Sequence, residues 1–86
     1  MPEISRFLGI VIAMYYSDHA PPHFHARYRE YEIRVDILTG AVMSGALPKR
    51  AQRLVGEWWQ LRREELLQDW RLAEQRKPLN RIEPLE

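Results

Sequence analysis

Two runs of strict alternation, separated by two residues, constrain this chain more than any other feature. His23–Tyr28 puts Phe24, Ala26 and Tyr28 on one side and His23, His25 and Arg27 on the other. Residues 31–37 repeat the pattern, with Tyr31, Ile33, Val35 and Ile37 apolar and Glu32, Arg34 and Asp36 polar. Period two marks strands with one buried and one solvated face. Closing the runs through Arg29-Glu30 sets Tyr28 against Tyr31, Ala26 against Ile33 and Phe24 against Val35. The polar pairs are then Arg27 with Glu32, His25 with Arg34 and His23 with Asp36. A slip of one residue would break every pair, so the register is well specified. Arg-Glu is a poor sequence for a two-residue turn, which favours residues tolerant of positive φ. A four-residue loop would keep the same register. One sheet face therefore carries histidine, arginine and carboxylate, and the other is left for a helix to cover.

The remaining segments extend this hairpin. Residues 9–16, GIVIAMYY, form a β-branched and aromatic run suited to a strand buried on both faces. Ser-Asp and Pro-Pro punctuate a loop over residues 17–22. Thr39-Gly40 is a turn, residues 41–44 a short fourth strand, and Gly45 its end. Pro48 suits the first position of a helix. From Lys49 to Lys77 there is no proline and one glycine, Gly56. Ala51, Leu54, Val55, Trp58 and Leu61 recur at helical spacing. Leu66, Trp70 and Ala73 continue that stripe, displaced around the helix, with Arg62, Glu65 and Asp69 across its centre. The first half is expected to pack on the sheet and the second half to project or meet a partner. Of Trp58 and Trp59, adjacent on the helix, one is expected at an interface or groove. Pro78 stops the helix. Residues 1–7 read as a short lead and 78–86 as an extended tail able to dock.

The expected fold is α+β: an antiparallel β-meander of three to four strands within about residues 9–44, with one long C-terminal α-helix over about 48–77 on its apolar face. Eighty-six residues support one domain, 1–86, because a second core would have too little to bury. A core this small, without disulfides, makes a homodimer or a partner protein a reasonable expectation. The absence of cysteine excludes thiolate zinc sites and cysteine nucleophiles. No apolar run is long enough for a membrane span and no basic-then-apolar leader opens the chain, so a reducing cytoplasm is the expected location. A net charge of +1 gives no bulk argument for nucleic acid; only the distribution of charge can.

All three histidines fall within seven residues, 19–25. Three readings compete. In the first, His19 swings from the loop to join His23 and His25 as a three-histidine metal site, with Asp36 orienting His23. In the second, which needs no metal or other cofactor, His23 and His25 transfer protons and Asp36 fixes a tautomer, while Arg27 and Arg34 stabilise charge on a phosphate. In the third, the cluster only braces a Pro-Pro turn, with Asp18 or His19 capping the loop backbone. A second basic feature is the helix start, where Lys49, Arg50 and Arg53 oppose the helix dipole and would suit a phosphate. Its plainer explanation is a solvated face, with Arg53 paired to Glu57.

The stretches PEISRFLGIVIAMYY, DHAPPHFHARY, YEIRVDI, TGAVMSGALPKRA and EWWQLRREELLQDW together resemble domain of unknown function 4160, a set of small bacterial proteins. The most specific block, DHxPPHFH, is complete here as Asp18, His19, Pro21, Pro22, His23, Phe24 and His25. The chain departs from the pattern at Arg29-Glu30, where relatives tend to have glycine. The resemblance implies no established activity. It implies a toxin–antitoxin-like pair with a second small protein, in which this chain is the toxin.

Three functional expectations follow. The leading one is a toxin-like component acting on RNA without metal. In it His23, His25 and Asp36 are catalytic, and Arg27, Arg34, Lys49, Arg50 and Arg53 hold phosphates. The alternative is a non-enzymatic protein- or DNA-binding module that uses the helix around Leu66, Leu67 and Trp70. The last is a metal-dependent hydrolase built on His19, His23 and His25.

Overall fold

The computed structural model describes residues 2–85, so the outermost residues of the expected lead and tail, Met1 and Glu86, lie outside the described residues. Five strands precede one helix: β1 (Glu3–Phe7), β2 (Ile10–Ala13), β3 (His23–Tyr28), β4 (Tyr31–Asp36), β5 (Val42–Gly45) and α1 (Lys49–Glu74). They form a single antiparallel meander in the order β1-β2-β3-β4-β5.

The β3–β4 register is the expected one at every pair, from His23 opposite Asp36 to Tyr28 opposite Tyr31. The turn is the two-residue one. Arg29 enters the left-handed region at φ 56°, which glycine adopts at no steric cost.

β1 replaces the expected lead. A register shift between Glu3 and Ser5 interrupts its alternation, so Ile4, Ser5 and Phe7 are all buried and no period of two is visible. The β2 strand is shorter than the apolar run that contains it, because the chain leaves the sheet after Ala13.

α1 covers the aliphatic face. Trp58 is fully buried, with its ring 5.5 Å from that of Phe7 and 5.7 Å from that of Phe24. Trp59 is half-buried, donates to the Ile37 carbonyl and lies over Gly40, where a Cβ would come within 2.7 Å of the indole.

The second half of α1 corrects the expectation of a projecting arm. Arg62 leaves helical geometry at φ −118°, ψ 16°, and the helix kinks there. The kink accounts for the displaced stripe: Leu66, Trp70 and Ala73 are buried, Leu67 packs against the core, and Leu61 is 65% exposed. The surface proposed for partner binding is thus largely core.

The helix ends three residues before the expected Lys77. Arg76 takes a left-handed φ of 56°, its N–H donates to Ala73 O, and the Lys77 N–H donates to Leu72 O. This double bond pattern closes a helix end without a capping side chain.

The tail docks along β1, as the Ile82 N–H donates to Ile4 O and the Trp58 indole to Glu83 O. Asp69, placed by the sequence pattern across the polar centre of the helix, is buried because its carboxylate accepts the Asn80 N–H of that tail.

Candidate functional site

The site forms where β3 begins. Its first residue, His23, extends from the polar side of the sheet but is only 2% exposed, because the kinked half of α1 brings Trp70 to 5.4 Å from its ring. Two residues on, His25 points the same way, 14% exposed, with Tyr15 against its ring edge-on at 4.5 Å. The two imidazoles are 5.3 Å apart, centre to centre.

Their ring nitrogens have defined neighbours. His23 Nδ1 lies 2.8 Å from the Pro21 carbonyl oxygen, and His25 Nδ1 lies 3.1 Å from Glu32 Oε2. The other nitrogens both face one atom: Asp18 Oδ2 is 3.0 Å from His23 Nε2 and 3.2 Å from His25 Nε2. The three donor atoms of Asp18, His23 and His25 all lie within 4.8 Å of one another, a grouping able to hold a metal ion.

Asp18 is fixed by its own loop, since its Oδ1 accepts the His19 N–H at 3.0 Å. Partial burial pushes its carboxyl up. The His25 hydrogen bond, the His19 amide and the charges of both rings outweigh that and hold it below the usual aspartate value.

Not every expected site residue is here. The His23–Asp36 register is correct at the backbone, but the Asp36 carboxylate does not orient His23. Its Oδ1 accepts the Leu38 and Thr39 N–H groups at 2.7 and 3.1 Å, because the β4–β5 turn presents bare amides beside it. His19 is exposed and contributes its backbone amide, so the histidine pair finds its third member in Asp18.

Arg34 sits opposite His25 across the sheet and donates to Ser44 Oγ at 2.9 Å; Arg27 is half-buried farther along the same face. Lys49, Arg50 and Arg53 are exposed near the other end of β3. Arg53 reaches Glu57 at 3.9 Å, and Arg50 lines a cleft of about 150 Å³ with Tyr28, Leu8 and Leu54.

Sequence reasoning assigned Asp18 at most a capping role and missed Glu32 and Tyr15 as neighbours of His25. Asp18 lies in a loop, where no periodicity assigns direction. Glu32 was accessible from the register, being diagonal to His25 in the paired strands.

A family model, Domain of unknown function (DUF4160), matches residues 9–71. This chain belongs to that family. The matched span holds the whole His–Asp cluster and the helix on both sides of its kink as far as residue 71; β1, the last turn of α1 and the docked tail lie outside it. Comparisons with curated proteins and with solved structures found no match. Among the described residues, no helix is long and apolar enough to cross a membrane.

Proposed function

We propose that this chain is the RNA-acting, toxin-like member of a two-protein pair, and that it hydrolyses phosphodiesters at the Asp18–His25 edge of the polar sheet face. One observation carries the reading. His25 Nε2 meets the Asp18 carboxylate in a partly open position, directly opposite the exposed Arg34. An imidazole–carboxylate pair can activate a nucleophile, by taking its proton or by holding it on an ion. Arg34 and Arg27 supply cationic support for a phosphate beside it. His23, nearly sealed from solvent, is not the group that meets substrate; it fixes the position of the other two. The basic helix start stands apart from this centre, so Lys49, Arg50 and Arg53 have at most a steering role.

The test uses untagged protein and a labelled single-stranded RNA. Wild type is expected to cleave it, with loss in His25→Ala and a smaller deficit in Arg34→Ala. Folded wild-type protein that leaves RNA intact, or a His25→Ala protein that cleaves as wild type does, refutes the reading. Growth arrest on cytoplasmic expression, relieved by co-expressing a second small protein encoded beside this chain, tests the pairing.

A further inference from the structure

We propose that Asp18, His23 and His25 form the binding site of a zinc-class divalent transition ion, through Asp18 Oδ2 and the two Nε2 atoms. The proposal shares its centre with the reading above and is independent of the substrate.

The argument begins with protons. A carbonyl oxygen only accepts, so the Pro21 contact places a His23 proton on Nδ1. His25 meets a carboxylate at each nitrogen, Glu32 at Nδ1 and Asp18 at Nε2. The bare Nε2 of His23 and the Nε2 of His25 both turn toward one Asp18 carboxylate oxygen, at 3.0 and 3.2 Å. A bare nitrogen and a carboxylate oxygen this close repel each other unless positive charge lies between them. A proton on His23 Nε2 is a poor source of that charge. Asp18 Oδ2 is near it but out of line for a hydrogen bond, and this buried nitrogen has no other hydrogen-bond partner. A single divalent ion satisfies all three atoms.

The dimensions agree. Zinc bonds of about 2.0–2.1 Å in a tetrahedral site hold donor atoms roughly 3.3–3.4 Å apart. The two carboxylate–imidazole separations, 3.0 and 3.2 Å, need little adjustment, and the two Nε2 atoms, within 4.8 Å of each other, would draw together on the ion. The partners on the Nδ1 side, a carbonyl and a carboxylate, are the acceptors that orient ligating imidazoles elsewhere. Two nitrogen donors favour a transition ion over calcium or magnesium, which take oxygen ligands. A cavity of about 30 Å³ beside Asp18, lined also by Tyr15 and Trp70, has room for a water next to the carboxylate. Three protein ligands and a water form the arrangement that generates a metal-bound nucleophile.

The test is calorimetric titration of untagged, chelator-stripped protein with zinc chloride, with cobalt absorption as the readout of coordination. Wild type and His19→Ala are expected to bind one ion per chain. Asp18→Asn, which keeps a carbonyl for the His19 amide, and His25→Ala should lose binding while remaining folded by circular dichroism. Glu32→Ala, which removes only the outer acceptor, should weaken affinity about 10–100-fold. Absence of binding by folded wild type, undiminished binding by Asp18→Asn, or loss of binding in His19→Ala overturns the proposal. The two readings fail separately: zinc bound without RNA cleavage sinks the substrate, and undiminished cleavage by a protein that binds no zinc sinks the ion.

Discussion

At its first residue β3 holds His23 beneath Trp70; at its last, Tyr28 borders an open cleft rimmed by Arg50 at the start of α1. The sequence marks both ends as candidate sites, one by histidines and one by cations. The structure treats them differently. At the histidine end the side chains converge, their rings are braced by Trp70 and Tyr15, and outer acceptors hold each ring. At the cationic end Lys49, Arg50 and Arg53 are exposed, and the ion pair there is a long one between two surface side chains. Such pairs contribute about 0–1 kcal/mol. The contrast teaches that a charge cluster becomes a site only where packing fixes its geometry.

The sharpest way to break this comparison is kinetic. His25→Ala should lower RNA cleavage by about 10²–10⁴-fold, the usual range for a proton-handling or ligating group. Combined substitution of Lys49, Arg50 and Arg53 by alanine should mainly weaken RNA association and steepen no loss in turnover. If the triple variant loses turnover as severely as His25→Ala does, the two ends are equivalent and the distinction fails.

Stability separates the ends next. Trp70→Ala removes a buried ring that braces His23 and should cost about 3–5 kcal/mol in a denaturant titration. Leu61→Ala, on the exposed side of the kink, should stay within about 0.5 kcal/mol. Equal effects would mean that the kink does not divide the helix as described.

A smaller effect concerns Asp69, next to Trp70. Burial pushes its carboxyl up, the Asn80 amide opposes that, and Glu65 adds to the rise. A carboxyl raised on folding binds its proton more tightly folded than unfolded. It therefore costs stability at neutral pH, and the cost disappears as pH falls through the raised value to the ordinary one. Asp69→Asn should stabilise the protein by about 1 kcal/mol at pH 7, and thermal melts should show the gain shrinking in acid. A gain that grows in acid would reverse the assignment.

The smallest effect is at the hairpin. Arg29 bears a left-handed conformation that costs a non-glycine residue about 1–2 kcal/mol. It recovers part of that through its guanidinium over the Tyr28 ring, 5.4 Å away. Arg29→Gly should therefore raise stability by about 0.5–1 kcal/mol, with no change in zinc affinity; a lower melting temperature would contradict this.

What could be read from the sequence follows periodicity. The β3–β4 register was fully legible because two alternating runs flank a short turn, so every pair tests the same alignment. The long helix was legible from spacing and the lack of proline. β1 was not, because its register shift buries Ser5 between Ile4 and Phe7 and erases the alternation. The packing of Leu66 and Trp70 was hidden by the kink at Arg62, which no glycine or proline announces. The site was half legible. Strand alternation aligned His23 with His25, but Asp18 acts from a loop, and Asp36 was diverted by amides of a turn that sequence pairing does not count.

The docked tail bears on the order in which the protein assembles. Arg81 donates to the Glu3 carbonyl at 3.1 Å from 78 residues away, whereas Asp18, His23 and His25 span a single short loop and strand end. Closing long loops costs more entropy than closing short ones. The His–Asp cluster can therefore take shape with the β3–β4 hairpin, early, while the strap across β1 closes late. In the native protein the strap is then among the first parts to open, and limited proteolysis or amide exchange should find its backbone before that of the His–Asp corner.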